Sequence, residues 1–356
     1  MSKVISVAIG GFGRSGYGIH ANWLKRDTGK FKIVAVADQI AERRQDAIDE
    51  LGCEVFNDYK DMLENVKCDL FVNATPSRLH VEATLMGFEK GFNVLSEKPS
   101  ATNLADYDKI IAASEKAGKL FLPFQNSRFY PFFMKIQEVI ASGVLGEIVF
   151  IRSNWSGFGR RWDWQTLQSE LGGNLLNTGP HPVDQAVVLF GEKYPEVFCR
   201  MFADHPSGGD AENFCTTTLH GKGHPTIEVV LNSFQAYPQG DMYNISGTLG
   251  GLTASTTEVK WKYFKPEDNP APALWENWSD ERKYCGETLD WIEDSWEYKD
   301  ENSNETGFSG MVRSLYDNLY DIMVNGAERI ITLEQVRRQV HVMEQSHLQN
   351  PLPKRK

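Results

Sequence analysis

The stretch VAIGGFGRSGYG, residues 7–18, leaves the chain few ways to fold. An apolar strand runs directly into Gly11-x-Gly13-x-x-Gly16, and a helical stretch follows. In that setting the first glycine permits a tight turn and the second lets backbone amides approach a pyrophosphate. The third lets helix and strand pack closely, with the helix N-terminus facing the phosphates. A glycine-rich turn without a ligand would satisfy the pattern alone. The second strand, KIVAVAD, argues against that reading, because it ends in Asp38, 22 residues after Gly16, where an acid hydrogen-bonds an adenosine ribose. A carboxylate there repels a 2'-phosphate, so NAD is preferred to NADP, with Arg43 and Arg44 close enough to soften the discrimination. Phe12, Arg14 and Ser15 complete the loop as cofactor-binding candidates.

Around this loop, short β-branched runs alternate with helical stretches: KVISVAIGG, GIHANWLKR, FKIVAVAD, AERRQDAIDEL, CDLFVNAT, VEATLMGFEK and NVLSEKP. Such repetition builds a parallel sheet with helices on both faces. After about residue 125 the strand candidates follow one another with turns between them, from EIVFIRSNW to LTASTTEVKWKYF, which suggests an antiparallel sheet with one covered face. The expected architecture is an α/β domain over residues 1–125, followed by an α+β domain over 126–356 with a large open, mainly antiparallel sheet. Residues 265–308 are acidic and carry Trp275, Trp278, Trp291 and Trp296, read as an insertion packing its own tryptophans rather than a lid. TLEQ, with Thr332 as N-cap and Gln335 three residues on, predicts a capped helix near the end.

The length of 356 residues favours two cores over one. A formal net charge of -11 works against nucleic acid and anionic membranes as partners. The five cysteines form no CxxC pair, which fits reduced thiols better than disulfides or zinc ligation. His205, His220 and His224 have no acidic or cysteine partners at metal-like spacing, so no metal is expected. No apolar run approaches a membrane span and no secretory signal is visible, so a cytoplasmic location is expected.

LSEKPSA places Glu97, Lys98 and Pro99 at the carboxyl end of another strand of the first sheet, where open parallel sheets bind ligands. Taken in order, GGFGRSG, VAVAD, NATPSRLH, EKP and GGNLLNTGPHPVD resemble the Gfo/Idh/MocA family, the glucose-fructose oxidoreductase and inositol dehydrogenase group. The resemblance covers essentially the whole chain. It implies a Rossmann domain followed by a domain with an open antiparallel sheet, a tightly held nicotinamide cofactor, and homodimers or homotetramers built through that sheet. It also implies that Asn73, Thr75, Pro76 and His80 lie along the cofactor, and that Lys98 contacts both nicotinamide ribose and substrate.

Oxidising a sugar or polyol carbon requires removal of the hydroxyl proton as the hydride departs, so a proton acceptor must sit near that oxygen. Lys98 can serve if burial and a cationic nicotinamide ring lower its pKa. Related sequences usually carry an aspartate four residues before the histidine, where this chain has Asn177 and His181. Pro180 and Pro182 put His181 in the first turn of a helix, whose dipole disfavours the imidazolium. Asn177 cannot act as a general base, so it is read as positioning substrate; Asn177-Thr178 before Pro180 also fits an ordinary helix cap. Asp184, three residues beyond His181, is a candidate to orient its ring. FQNSRF supplies Gln125 and Arg128 toward substrate and Asn126 toward cofactor, while GFGRRWDWQ supplies Arg161, Trp162 and Trp164, groups that suit a carbohydrate.

These readings point to an NAD-dependent dehydrogenase acting on a sugar, inositol or glycoside. A short-chain dehydrogenase is disfavoured because no tyrosine is followed four residues later by lysine. A lyase or glycosidase with a retained NAD would use the same Lys98 and His181, and a non-catalytic NAD-binding sensor fits the absence of the acid at Asn177.

Overall fold

The computed structural model describes residues 3–237, 240–276, 282, 284–299 and 307–355. Its first sheet contains β1 (Ile5–Gly10), β2 (Phe31–Ala37), β3 (Glu54–Phe56), β4 (Leu70–Asn73), β5 (Asn93–Ser96) and β6 (Phe121–Pro123). All pairs are parallel, in the order β3-β2-β1-β4-β5-β6. The helices between them are a π-helical stretch Gly16–Ala21 running into α1 (Asn22–Leu24), then α2 (Ala41–Leu51), α3 (Tyr59–Asn65), α4 (His80–Glu89) and α5 (Leu104–Ala117). β1 and β4 are buried along nearly their whole length, as expected of parallel strands covered on both faces.

Register explains where the ligand end lies. Gly10 pairs with both Ala37 and Asn73, Asn73 pairs with Ser96, and Ser96 pairs with Pro123. The carboxyl ends therefore form one row, and the next residues in each strand are Gly11, Asp38, Ala74, Glu97 and Phe124. Strand order reverses between β1 and β4, which opens a crevice at that point in the row.

After α6 (Pro131–Ala141) the chain builds a second sheet from β7 (Ile148–Ser156), β8 (Glu196–Phe202), β9 (Phe214–His220), β10 (Thr226–Asn232), β11 (Tyr243–Gly247), β12 (Gly250–Ala254), β13 (Glu258–Tyr263) and β14 (Ile292–Glu297). The order is β14-β13-β12-β11-β7-β10-β9-β8. Neighbours are antiparallel except β7 and β10, a parallel pair at the centre. Parallel neighbours need a long crossover. Here the crossover carries α7 (Asn174–Asn177), α8 (Pro180–Phe190) and the outer strands β8 and β9. Alternation in β8 and β9 points Cys199, Met201, Cys215 and Leu219 inward, while α6, α8 and α10 (Leu333–Leu348) pack on the sheet. The C-terminal part also returns to the first sheet. Tyr316 of α9 (Gly307–Asn325) packs edge-on against Phe31, and the Tyr320 hydroxyl donates to the Lys3 carbonyl at 2.9 Å.

The capping box at Thr332 and Gln335 is present. All five cysteines are free. The acidic tryptophan segment does not form a self-packed insertion: β14 within it extends the second sheet, Trp296 joins the margin of the core, and Trp291 meets Phe264 edge-on at 5.8 Å. Trp275 is exposed and Trp278 lies outside the described residues. Among the described residues, no helix is long and apolar enough to cross a membrane.

Gly16 closes the loop back on Gly11, because a Cβ there would lie 1.9 Å from the Gly11 carbonyl oxygen. Gly16→Ala should cost at least about 1–3 kcal/mol from forced backbone displacement. Urea unfolding measures this, and an unchanged midpoint would mean that the loop yields without strain.

Candidate active site

The carboxyl-end row of the first sheet faces the β7–α8 segment across a cleft of about 710 Å³. Gly11 adopts φ +89°, and a Cβ there would fall 2.4 Å from the Ala74 carbonyl oxygen. A Cβ on Gly13 would meet only the Arg43 guanidinium, at 3.4 Å, so its backbone stays open to the cleft. Asp38 accepts the Phe12 amide at 2.8 Å and the Ile40 amide at 2.9 Å, and its carboxylate lies 3.3 Å from Arg43 Nη1. The acid therefore holds the glycine loop as well as facing the ribose end. Asn126 is buried, lines the cleft, and leaves Oδ1 without a partner, an acceptor available to a ligand. A nicotinamide dinucleotide fits this donor set and cradle.

Of the cofactor candidates, Gly11, Gly13, Arg14, Ser15, Asp38, Thr75, Pro76, His80, Glu97, Lys98 and Asn126 line the cleft. Four stand behind it. Phe12 packs edge-on against Tyr17, and Gly16 closes the loop. Asn73 is buried, donating to the His80 carbonyl at 2.9 Å and accepting from the Thr75 hydroxyl at 2.7 Å. Pro99 follows a cis peptide bond and offers its carbonyl to His80 Nδ1 at 2.8 Å.

Lys98 Nζ donates to the Asn177 carbonyl oxygen at 2.6 Å, tying the first sheet to α7. Burial lowers the Lys98 pKa, helped by Arg14 and Arg161 and opposed by Glu97. Burial alone would raise the pKa of Glu97, but His20, with Nε2 at 3.3 Å, together with Lys98 and His80, brings it down to about 2. His20 in turn meets the Tyr316 hydroxyl at 2.7 Å, so a buried file from α9 ends at the residue preceding Lys98. His181 sits at the start of α8, beside Trp155 at 6.3 Å between ring centroids. Burial and the Lys98 charge hold its imidazole down at about 3, so the ring is neutral near pH 7.

Asn177 is not a helix cap. It ends α7, while Gly179 caps α8 without a side-chain bond. Its side-chain oxygen accepts from Gln165 Nε2 at 2.9 Å. Arg161 and Trp164 line the cleft, whereas Trp162 is 82% exposed and lies outside the lining.

Three expected substrate groups are placed elsewhere. Asp184 forms a two-point ion pair with Arg128, through Nε and through Nη2 at 2.9 Å, so it does not orient His181. Both residues are buried, and Arg128 also donates to Gln335 at 2.9 Å. Gln125 donates to Gln339 at 2.8 Å, and Gln339 donates to the Pro180 carbonyl. Buried charges and amides must find partners, and Gln125 and Arg128 find theirs on α10, more than 200 residues along the chain. These groups fix the start of α8 and so the position of His181. The lining residues missed from sequence include Arg78, Thr178 and Gln165, the last in the GFGRRWDWQ stretch but with its partner 12 positions away. Among the described residues, no group of three His, Cys, Asp or Glu side chains could hold a metal.

A dinucleotide crevice with a convergent lysine and neutral histidine defines an NAD-binding oxidoreductase. Residues 5–124 match the model described as the oxidoreductase family, NAD-binding Rossmann fold, and residues 133–253 match the GFO/IDH/MocA C-terminal domain. The chain belongs to the Gfo/Idh/MocA family, and residues 5–124 form its NAD-binding Rossmann fold. It is 27% identical over 258 residues to an uncharacterized oxidoreductase of Schizosaccharomyces pombe, covering 70% of each chain. It is 30% identical over 199 residues to D-glucoside 3-dehydrogenase of Escherichia coli, covering 53% of this chain and 55% of that relative. With scyllo-inositol 2-dehydrogenase (NADP(+)) of Bacillus subtilis it shares 25% over 247 residues, 68% of this chain and 66% of the relative. The matched region thus spans between about half and 70% of these relatives. The fold is shared with the WlbA dehydrogenase of Bordetella pertussis in complex with NADH and UDP-GlcNAcA, at TM-score 0.74 and 19% identity over 99% of both chains.

Asp184→Ala should destabilise the protein by about 3–5 kcal/mol, because it leaves the Arg128 charge buried and unpaired. Replacing both partners by Leu and Met should recover much of that loss. Urea midpoints for the single and double variants check this; equal losses would mean that the pair is not what secures α8.

Proposed function

We propose that the chain is an NAD(P)-dependent dehydrogenase that moves a hydride between the nicotinamide and a secondary hydroxyl, or its ketone, on a sugar, inositol or glycoside. The observation that carries this is the convergence of Lys98, Asn177 and His181 in one cleft at the strand ends, with Lys98 Nζ 2.6 Å from the Asn177 carbonyl. The sugar and inositol activities named for two relatives support the substrate class.

The cofactor, when bound, supplies or accepts the hydride. The glycine loop and Asp38 hold it, with Thr75, Pro76, His80 and Asn126 along it and Arg14 near Lys98. Lys98 exchanges the proton with the reacting oxygen, His181 assists as a neutral hydrogen-bonding group, and Asn177, Arg161 and Trp164 hold the substrate. Residues 1–125 form the coenzyme domain and 126–356 the substrate domain. Phe198 and Phe202, exposed on the face of β8 opposite α10, belong to the surface through which a homodimer or homotetramer assembles.

Lys98→Met should keep coenzyme binding and lose about 10²-fold or more in turnover. In the oxidative direction Lys98 must be the free amine, so the rate should rise with pH through its lowered pKa and then level off. In the reductive direction the slope reverses. Screening nicotinamide absorbance against inositols and glycosides measures both; wild-type rates in the variant across the pH range would remove Lys98 from proton transfer. Net turnover of free coenzyme also separates a dehydrogenase from a lyase that retains its NAD. Asp38→Ser should weaken NAD(H) relative to NADP(H), since Arg43 would lose its carboxylate partner and be left to meet a 2'-phosphate. An unchanged ratio of dissociation constants would place coenzyme choice on other residues.

A further inference from the structure

Hydrogen-bond polarity at the reacting corner distinguishes the hydroxyl form of a substrate from its ketone. Arg161 has donors and no acceptor. Its Nη2 donates to Gln165 Oε1, which turns Gln165 Nε2 toward Asn177, where it donates to Oδ1 at 2.9 Å. The two ends of an amide are nearly identical in shape, but a guanidinium at the head of the row leaves only one consistent orientation. The carbonyl end of the Asn177 side chain is therefore engaged, and its Nδ2 protons are left for the cleft. The Asn177 backbone oxygen is occupied by Lys98 Nζ. Asp163 is engaged on the Arg161 side of the row: Oδ2 receives Arg161 at 2.7 Å and Oδ1 receives the Gln165 backbone amide at 3.2 Å.

His181 follows the same polarity. Its Nδ1 is buried without a partner, so the ring edge toward the cleft carries Nε2. A neutral imidazole has one ring proton. On Nδ1 that proton would be a buried, unpaired donor; on Nε2 it reaches the cleft.

We propose that Lys98, Asn177 and His181 present donors together, that the cleft holds the carbonyl form of its substrate, a keto-sugar or ketoinositol, and that Gln165 is the positioning residue that makes Asn177 a donor. A ketone oxygen accepts from two of these groups with its two lone pairs. An alcohol brings an O–H that finds no acceptor among these three donors. In the forward reaction the carbonyl carbon takes a hydride from the reduced nicotinamide, and the C=O π pair moves to oxygen. That pair bonds a proton given by the Lys98 ammonium, leaving oxidised nicotinamide, an alcohol and a neutral amine. The inference rests on the hydride-transfer reading of the same cleft.

Gln165→Glu tests it. A carboxylate between Arg161 and Asn177 would accept from both, so Asn177 must turn Nδ2 toward residue 165 and present Oδ1 to the cleft. Dissociation constants for scyllo-inositol and its 2-ketone, and for methyl glucoside and its 3-ketone, can be measured by calorimetry on the protein loaded with tetrahydro-NAD, a reduced-coenzyme analogue that gives no hydride. The wild type should favour the ketone of the bound pair by about tenfold, the scale of one misplaced donor. Gln165→Glu should abolish or reverse that preference, and Gln165→Leu should reduce it. A preference unchanged in Gln165→Glu overturns the proposal. Nitrogen-15 spectra of the side-chain amides read the orientation without substrate: the Asn177 amide protons should move downfield in Gln165→Glu, and their failure to move also overturns it. If neither pair binds any variant, the proposed substrate class fails separately, and the amide spectrum still decides this inference.

Discussion

The hydrogen bond from Lys98 Nζ to the Asn177 carbonyl joins a strand end of the first sheet to the crossover of the second, and the geometry of the cleft hangs on it. Behind the lysine, Glu97 is kept ionised by His20, which is itself held by Tyr316 from α9. Behind the asparagine, Gln165 and Arg161 fix the side-chain amide. The lysine side is thus backed by a distant helix, and the asparagine side by residues shortly before it in the chain. Charge balance at the corner also matters: the Glu97 anion opposes the loss of the Lys98 proton, while burial, Arg14 and Arg161 promote it. That opposition leaves the lysine's two protonation states closer in energy than burial alone would.

The first half of the site was legible in the sequence because its chemistry is local. Glycines at fixed spacing, an acid after the second strand and a lysine after the fifth all follow from strand ends that one register row aligns. Helix boundaries set by proline were legible too, and α8 begins at Pro180 with His181 in its first turn. Long-range pairing of buried polar groups was not. Asp184 looked like a partner for His181 three residues away, yet burial beside Arg128 gives it a stronger one. Gln125 and Arg128 looked like substrate ligands because amides and guanidinium groups suit sugars. Their partners, Gln339 and Gln335, lie on a helix whose own sequence signal was only a capping box.

The second sheet was read correctly as mainly antiparallel, but its central parallel pair carries no signature in periodicity, since alternation is the same for either direction. The acidic tryptophan stretch misled for a related reason. Aromatic residues suit an edge strand as well as a self-packed insertion, and pairing with β13 decided between them.

The central pair has a consequence for how the molecule comes into being. Strand β7 ends at Ser156 and β10 begins at Thr226, and the cleft's Asn177 and His181 lie between them. Closing so long a loop carries an entropic cost before any ladder bond repays it, and contacts of large sequence separation form slowly. The first sheet closes a comparable span, since Val7 of β1 pairs with Leu70 of β4, and Tyr316 of α9 packs on its Phe31. Crevice and corner therefore both rest on contacts of large sequence separation, and neither is complete until the C-terminal helices have packed.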